Sequence, residues 1–492
     1  MCFSEMRTRS ETRQRSSWSY LPPEIRLMIL ETIAQQKNPG WAPNAAVCRE
    51  WQYTLEKFNF RKLNLRLPCP DDFQCLENFQ HIATTRRELI RHICLNVELP
   101  RYTPNCCSEG PAPSVMVSSI VSRAIQKLCT ILSTWESEDD LELALEFNVY
   151  DPNDCEHWFK GIYLSSDDVE DDEDKETMIR RSFHDPRHGW LNGQHALRFP
   201  SGAAKRRLFQ PIHLVFRKGL PRVKAVTRLI IRRQLRRCFS PKSLALLLGN
   251  FGGLEHISYE PWVPYHRSRE VYQQVFEDSH HFYQIFRSRP DLTRPFQNLF
   301  GVHEMPEAVF ADKSLDLEHL AISFIVNAEQ IFRCCNSQWT WPHLQSVALT
   351  SEILCRGDRP NWVPPDWKQF KSILNLLHRA GTLAQQMPKL HTFVIWNWSA
   401  CAFIYHVKGG SASVTWRGTC LLKLSPRVVE SWQLAAWKLF RREIHLQIYY
   451  EHIQQTPITS HGDAVHYLRL PCQVVEPASL WQIRREGCIG SS

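Results

Sequence analysis

A chain of 492 residues with 43% hydrophobic and 22% charged residues has the composition of a soluble globular protein with a sizeable core, a small module plus a large domain or two. Its net charge of +8 is modest for that length, and no continuous apolar run approaches the roughly 18 residues of a membrane span, so no membrane partner is expected. Seventeen dispersed cysteines form no C-x-x-C pair, which supports neither a zinc ribbon nor a redox motif. No apolar stretch follows the N-terminal arginines to make a secretory signal, so the reading is a cytoplasmic or nuclear protein with reduced thiols, not a secreted one.

In chain order, residues 1–17 are polar and rich in Arg and Ser, the pattern of a disordered tail. Pro22 and Pro23 then stand where a helix would start, and Glu24 adds negative charge at its N-terminal end. Ile25, Met28, Ile29 and Ile33 fall on one helical face, and Asn38-Pro39-Gly40 stops the helix. Cys48, Trp51, Leu55 and Phe58 make a second apolar stripe. Helices this short bury little surface alone, so the segment should lean on a partner or on the next domain.

Leu21-Pro22-Pro23-Glu24-Ile25, Ile29-Leu30 and Val47-Cys48-Arg49-Glu50-Trp51, in that order near the N-terminus, resemble an F-box. The resemblance implies that these helices dock on the Skp adaptor of a cullin–RING (SCF) ubiquitin ligase through Leu21, Pro22, Ile25, Ile29, Leu30, Val47, Cys48 and Trp51. The rest of the chain would present an unknown protein substrate. The alternative is an ordinary helical hairpin that caps the larger domain.

From Phe60 a pattern recurs: apolar, two residues, apolar, one residue, apolar. Copies start at Phe60, Ile90, Val226, Leu254, Leu317, Leu344, Leu390 and Val465. It reads as a leucine-rich repeat in which the first apolar residue turns the chain into the core and the next two point inward from one face of a short strand. Copies lack the repeat's Asn or Cys, so the array is degenerate with insertions. Between strands, Ser240-Pro241 opens a capped helix with Leu244, Leu247, Leu248 and Phe251 on one face and Gly252-Gly253 at its end. Residues 67–79 and 101–113 read as loops, 115–135 as a helix and 141–149 as a strand. Residues 163–201 hold the acidic run Asp167–Glu176, an insert expected to be disordered near 165–200. A helix is expected near 271–286. Gly409-Gly410 joins two strands as a hairpin, Ser425-Pro426 opens another helix, Ile444–Tyr450 reads as a strand, and Ser479–Arg485 as a short helix. From Leu220 onward, stretches such as VTRLIIRRQLRRCFSPKSLALLL and LPCQVVEPASLWQIRREG resemble the uncharacterised C-terminal domain behind the F-box of many fungal proteins.

The chain holds no P-loop, G-x-G-x-x-G, G-x-S-x-G or H-E-x-x-H. His280-His281 and His303-Glu304 are the weak candidates for metal ligands, so no metal, cofactor or catalytic residue is expected. Arg232, Arg233, Arg236 and Arg237 belong to a basic cluster read as an exposed strand face, suited to an acidic or phosphorylated substrate rather than to nucleic acid. The expected fold is mixed α+β/α/β: an all-helical F-box over 18–59, an irregular repeat-like region over 60–219, and a leucine-rich-repeat-like strand–helix solenoid over 220–492. The expected role is a non-catalytic substrate receptor. The alternatives are an adaptor or scaffold outside the ligase, or an uncharacterised enzyme or nucleic-acid binder.

Overall fold

The structure is a computed structural model. It describes residues 18–36, 40–68, 73–102, 114–135, 142–159, 184–195, 204, 207–208, 211–237, 239–260, 306–354, 367–397, 401–420, 422–441, 444–453, 461–480 and 482–483. The N-terminal tail, most of the acidic insert, the helix expected near 271–286 and the His280–Glu304 candidates lie outside the described residues.

Helices α1 (Pro23–Gln36) and α2 (Arg49–Asn59) come first. They lead into a mixed but largely parallel sheet of 11 strands. Strands β1 (Lys62–Leu67), β2 (His92–Glu98) and β3 (Leu143–Tyr150) are parallel neighbours. The short pair β4 (Trp190–Leu191) and β5 (Gln194–His195) forms a hairpin of its own. The main sheet then continues with β6 (Val226–Ile231), β7 (His256–Tyr259), β8 (His319–Asn327), β9 (Ser346–Thr350) and β10 (Thr392–Asn397), all parallel and all beside the preceding strand of that sheet. Strands β11 (Cys401–Lys408) and β12 (Ser411–Gly418) turn antiparallel, and β13 (Gln447–His452) returns parallel to β12.

Parallel neighbours need crossover connections, and helices supply them. They are α3 (Gln74–Arg86), α4 (Ser114–Leu132), α5 (Pro241–Asn250), α6 (Pro306–Lys313), α7 (Ala328–Cys334), α8 (Trp367–Ala384) and α9 (Pro426–Phe440). The recurrent apolar triplets explain the join. Ile90, Ile93 and Leu95, Leu254, Ile257 and Tyr259, Leu317, Leu320 and Ile322, and Leu390, Phe393 and Ile395 are all buried in one core with the helices. Ser240 caps α5 by accepting from the Ser243 amide, as its Ser-Pro start predicts. Trp432 of α9 packs its ring against Phe393 of β10 and against Phe403 and Tyr405 of β11, at 5.3, 5.0 and 4.9 Å. A Cβ at Gly381 would collide with the Ser431 hydroxyl, so the absence of a side chain there lets α8 and α9 approach closely.

Two expectations change, and two further features emerge. Val465–Leu470 is not a strand but part of α10 (His461–Leu468), because Ala464 and Leu468, four apart, are the buried pair. The stretch read as a loop over 67–79 contains the start of α3, whose Leu76, Phe79 and Ala83 are buried. The helix window Val115–Leu132 has a mean hydropathy of 1.4, long and apolar enough for a membrane span, although scattered Ser, Arg123 and Lys127 hide it as a continuous run. It is 56% buried, and Val117, Val121, Ala124, Ile125 and Leu128 pack into the core, as in the core helix of a folded domain. Finally, α10 and the chain beyond it lie on the sheet face away from the crossover helices. There Ala464, Leu468, Val474, Val475 and Ile483 cover Ala348, Val394, Trp396, Ala402 and Ile404 in a separate core.

Candidate docking surface and the buried arginines

The first two helices have a small core of their own. Leu30, Ala34 and Leu55 are buried among Trp18, Ile33, Trp41, Ala45, Trp51 and Phe58. Trp18 packs tilted against Trp51 with ring centres 5.3 Å apart, and its Nε1 donates to Glu50 at 2.9 Å. Glu50 also pairs with Arg26 at 3.0 Å. The module is fixed to the larger body where Arg86 of α3 pairs with Glu56 of α2 at 2.6 Å and where Phe60 and Leu63 join the main core.

The apolar side chains left over face outward. Met28 is 60% exposed, Val47 63% and Tyr53 69%, and Tyr20, Ile25 and Leu27 are exposed too. Of the residues assigned to adaptor docking, Pro22, Ile25, Val47 and Cys48 are exposed, and Leu21, Ile29 and Trp51 are half-buried. Leu30 is 0% exposed, so it belongs to the module's core and not to its surface. The sequence puts Ile25, Met28, Ile29 and Ile33 on one apolar stripe and does not single out Leu27 or Tyr53, which are exposed as Ile25 and Met28 are. Which side of so short a helix faces inward depends on the second helix, and no spacing rule supplies that.

The four arginines do not line an exposed face. Arg232, Arg233, Arg236 and Arg237 are all buried. Strand β6, interior to the sheet, ends at Ile231, and the residues that follow meet acidic groups from β3 and the turn after it. Arg232 pairs with Glu146 at 2.8 Å, and Gln234 donates to the same carboxylate at 2.9 Å. His92 meets Glu146 at 3.0 Å. Burial alone would raise the Glu146 carboxyl, but the His92 hydrogen bond and the Arg232 charge hold it below its ordinary value. Arg237 forms a two-pronged pair with Asp154, with contacts of 2.5 and 3.2 Å. Burial pushes neighbouring Asp151 up to about 6. A phosphate could not reach the Arg232 and Arg237 guanidiniums without displacing Glu146 and Asp154.

Two groups among the described residues have metal-ligand chemistry, His157 with Asp185 and His188, and His256 with Glu318 and His319. Cys334 and Cys335 keep the expected thiol character, as burial raises both, Cys335 to about 12. Comparison with curated proteins finds no match. Residues 266–476, less than half of the chain but spanning β8 through β13 and the chain that covers them, match the model of a family of unknown function, DUF6546.

Proposed function

We propose that this chain is an F-box-type substrate receptor that docks on the Skp adaptor of a cullin–RING ubiquitin ligase. It carries a protein substrate on a leucine-rich-repeat-like body. The observation that carries the reading is the outward set Ile25, Leu27, Met28, Val47 and Tyr53 on a module whose own core is already filled by Leu30, Ala34 and Leu55. Exposed apolar residues grouped on one small module mark a protein contact. The order of parallel strands, each beside the last with helices between, supports the repeat reading of the body. The Glu56–Arg86 pair supports a fixed join between docking module and body. The body needs no catalytic group, because holding a substrate beside a charged ubiquitin-conjugating enzyme raises effective concentration.

With the four arginines buried, substrate contact falls to other surfaces. Strand β13 is exposed along its length, with Ile448, Tyr449 and Tyr450 outward. It suits an extended peptide segment added at a sheet edge.

The test is co-purification with the Skp adaptor. The wild-type chain should retain it, and Ile25→Asp with Met28→Asp should lose it while melting normally. Retention by that variant ends the docking reading. Cullin in the same purification separates a ligase receptor from an F-box adaptor that works outside the ligase.

A further inference from the structure

The group His157, Asp185 and His188 is built by two turns that the sequence specifies closely. Asp185-Pro186-Arg187-His188-Gly189-Trp190 is a one-turn 3-10 helix closed by Gly189 at φ 78°. Asp185 and Trp190 exchange both backbone hydrogen bonds, at 2.8 and 2.9 Å, so the turn cannot open without losing them. Asn192 and Gly193, at φ 51° and 83°, then make the tight β4–β5 reversal. Within the turn the Asp185 carboxylate sits 2.7 Å from Nδ1 of His188, whose side chain is 5% exposed.

His157 arrives from the other turn. Asp151 and Asp154 form a reciprocal capping box there, and the Arg237–Asp154 pair ties it to the sheet. His157 has φ 56°, a left-handed backbone that a non-glycine residue adopts at a cost of roughly 1–3 kcal/mol. The Trp190 indole holds it there by donating to the His157 carbonyl at 2.7 Å. The result is a His157 ring 4.5 Å from that of His188, with the Trp158 ring edge-on to His188 at 5.6 Å. The ligand atoms of His157, Asp185 and His188 all lie within 4.8 Å of one another. Ligands about 2.0–2.1 Å from a tetrahedral ion stand about 3.3 Å apart, so small side-chain rotations close the set.

We propose that His157, Asp185 and His188 bind a transition-metal ion of the zinc class, with a fourth position left for water or another ligand. Two imidazoles and one carboxylate are donors zinc accepts, and three protein ligands leave that position open. The ion bridges two turns that are distant in the chain. The second group, His256, Glu318 and His319, is less suited. All three are half-exposed, and Arg228 stands beside His256 in register on the neighbouring strand.

The test uses the full chain stripped with a chelator and titrated with Zn²⁺ against a chromophoric competitor, with Co²⁺ absorption as a second reading. Wild type should take up one equivalent, lost or weakened at least about tenfold in Asp185→Asn and in His157→Gly. His157→Gly is the decisive variant. It removes a ligand where glycine is favoured by the backbone, so its metal-free melting temperature should stay level or rise. No uptake by wild type, or wild-type affinity in both variants, overturns the proposal. So does loss of the equivalent in His256→Gln with His319→Gln when His157→Gly keeps it.

Discussion

One sheet face is closed in two different ways along its length. From β1 to β7, the side away from the crossover helices carries polar groups that satisfy one another: Arg66 and Tyr150 with Glu98, Asn96 with Asn148, and His92, Arg232 and Gln234 with Glu146. From β8 to β11 the same side is largely hydrocarbon, with Ser323 of β8 donating to the Val474 carbonyl, and is sealed by α10 and the residues after it. The halves meet at Glu476, which pairs with Arg228 of β6 and donates its amide to Glu260 beyond β7. Apolar covering stabilises wherever surface leaves water, whereas buried charge is tolerated only with its partner in place. The charged half should therefore fail sharply when one group is removed, and the apolar half more gradually.

The largest effect should come from breaking a buried pair on one side only. Asp154→Ala leaves Arg237 buried without its carboxylate and should cost about 3–5 kcal/mol in chemical denaturation. Adding Arg237→Met should restore a large part of that. A double variant no better than the single one would show that the pair itself, and not the stranded charge, carries the stability. In the apolar half, Leu468→Ala should cost about 2–5 kcal/mol and be offset by no single partner change.

The sign of the pH response distinguishes the seam from the charged half. Burial pushes the Glu260 carboxyl from 4.5 to about 8. Its contribution to stability is full below about 4.5 and is lost as the pH rises through about 8. Glu146 is held below its ordinary value, so its contribution is present above 4.5 and lost as pH falls through the lowered value. Glu260→Gln should flatten the loss between about pH 4.5 and 8 in a pH series of melting temperatures and leave the loss below 4.5 unchanged. The smallest change in stability, within about 0.5 kcal/mol, is expected for Ile25→Asp on the outward face of α1, with adaptor retention as its sensitive reading.

Much of the sheet could be read before folding, because its rule is local. A triplet such as Leu317, Leu320 and Ile322 states its own strand and its own inward face. The Gly409-Gly410 reversal, at φ 58° and 78°, likewise follows from residue type alone. What could not be read depends on distant chain. Val465–Leu470 satisfies the strand triplet and a helical i, i+4 pairing equally well, and only the apolar sheet face under Ala464 and Leu468 decides between them. The arginines after β6 look like a solvated face until Glu146 and Asp154, more than 80 residues earlier, are placed beside them. The His157–His188 group was missed for the same reason, because its signals, an Asp-Pro-x-His-Gly turn and a left-handed histidine, lie on opposite sides of the acidic run.

The segment that seals the β8–β11 half also sets an order on synthesis. Strands β8 to β11 leave the ribosome well before residues 461–483 exist. Until those residues follow, Val394, Trp396 and Ile404 present an open apolar sheet face in the nascent chain. A chain stopped before residue 461 would keep its helix-covered core yet carry that uncovered face permanently. Residues 461–483 thus act as a late seal, because only a copy translated through them can hide the surface that chaperones and proteases recognise.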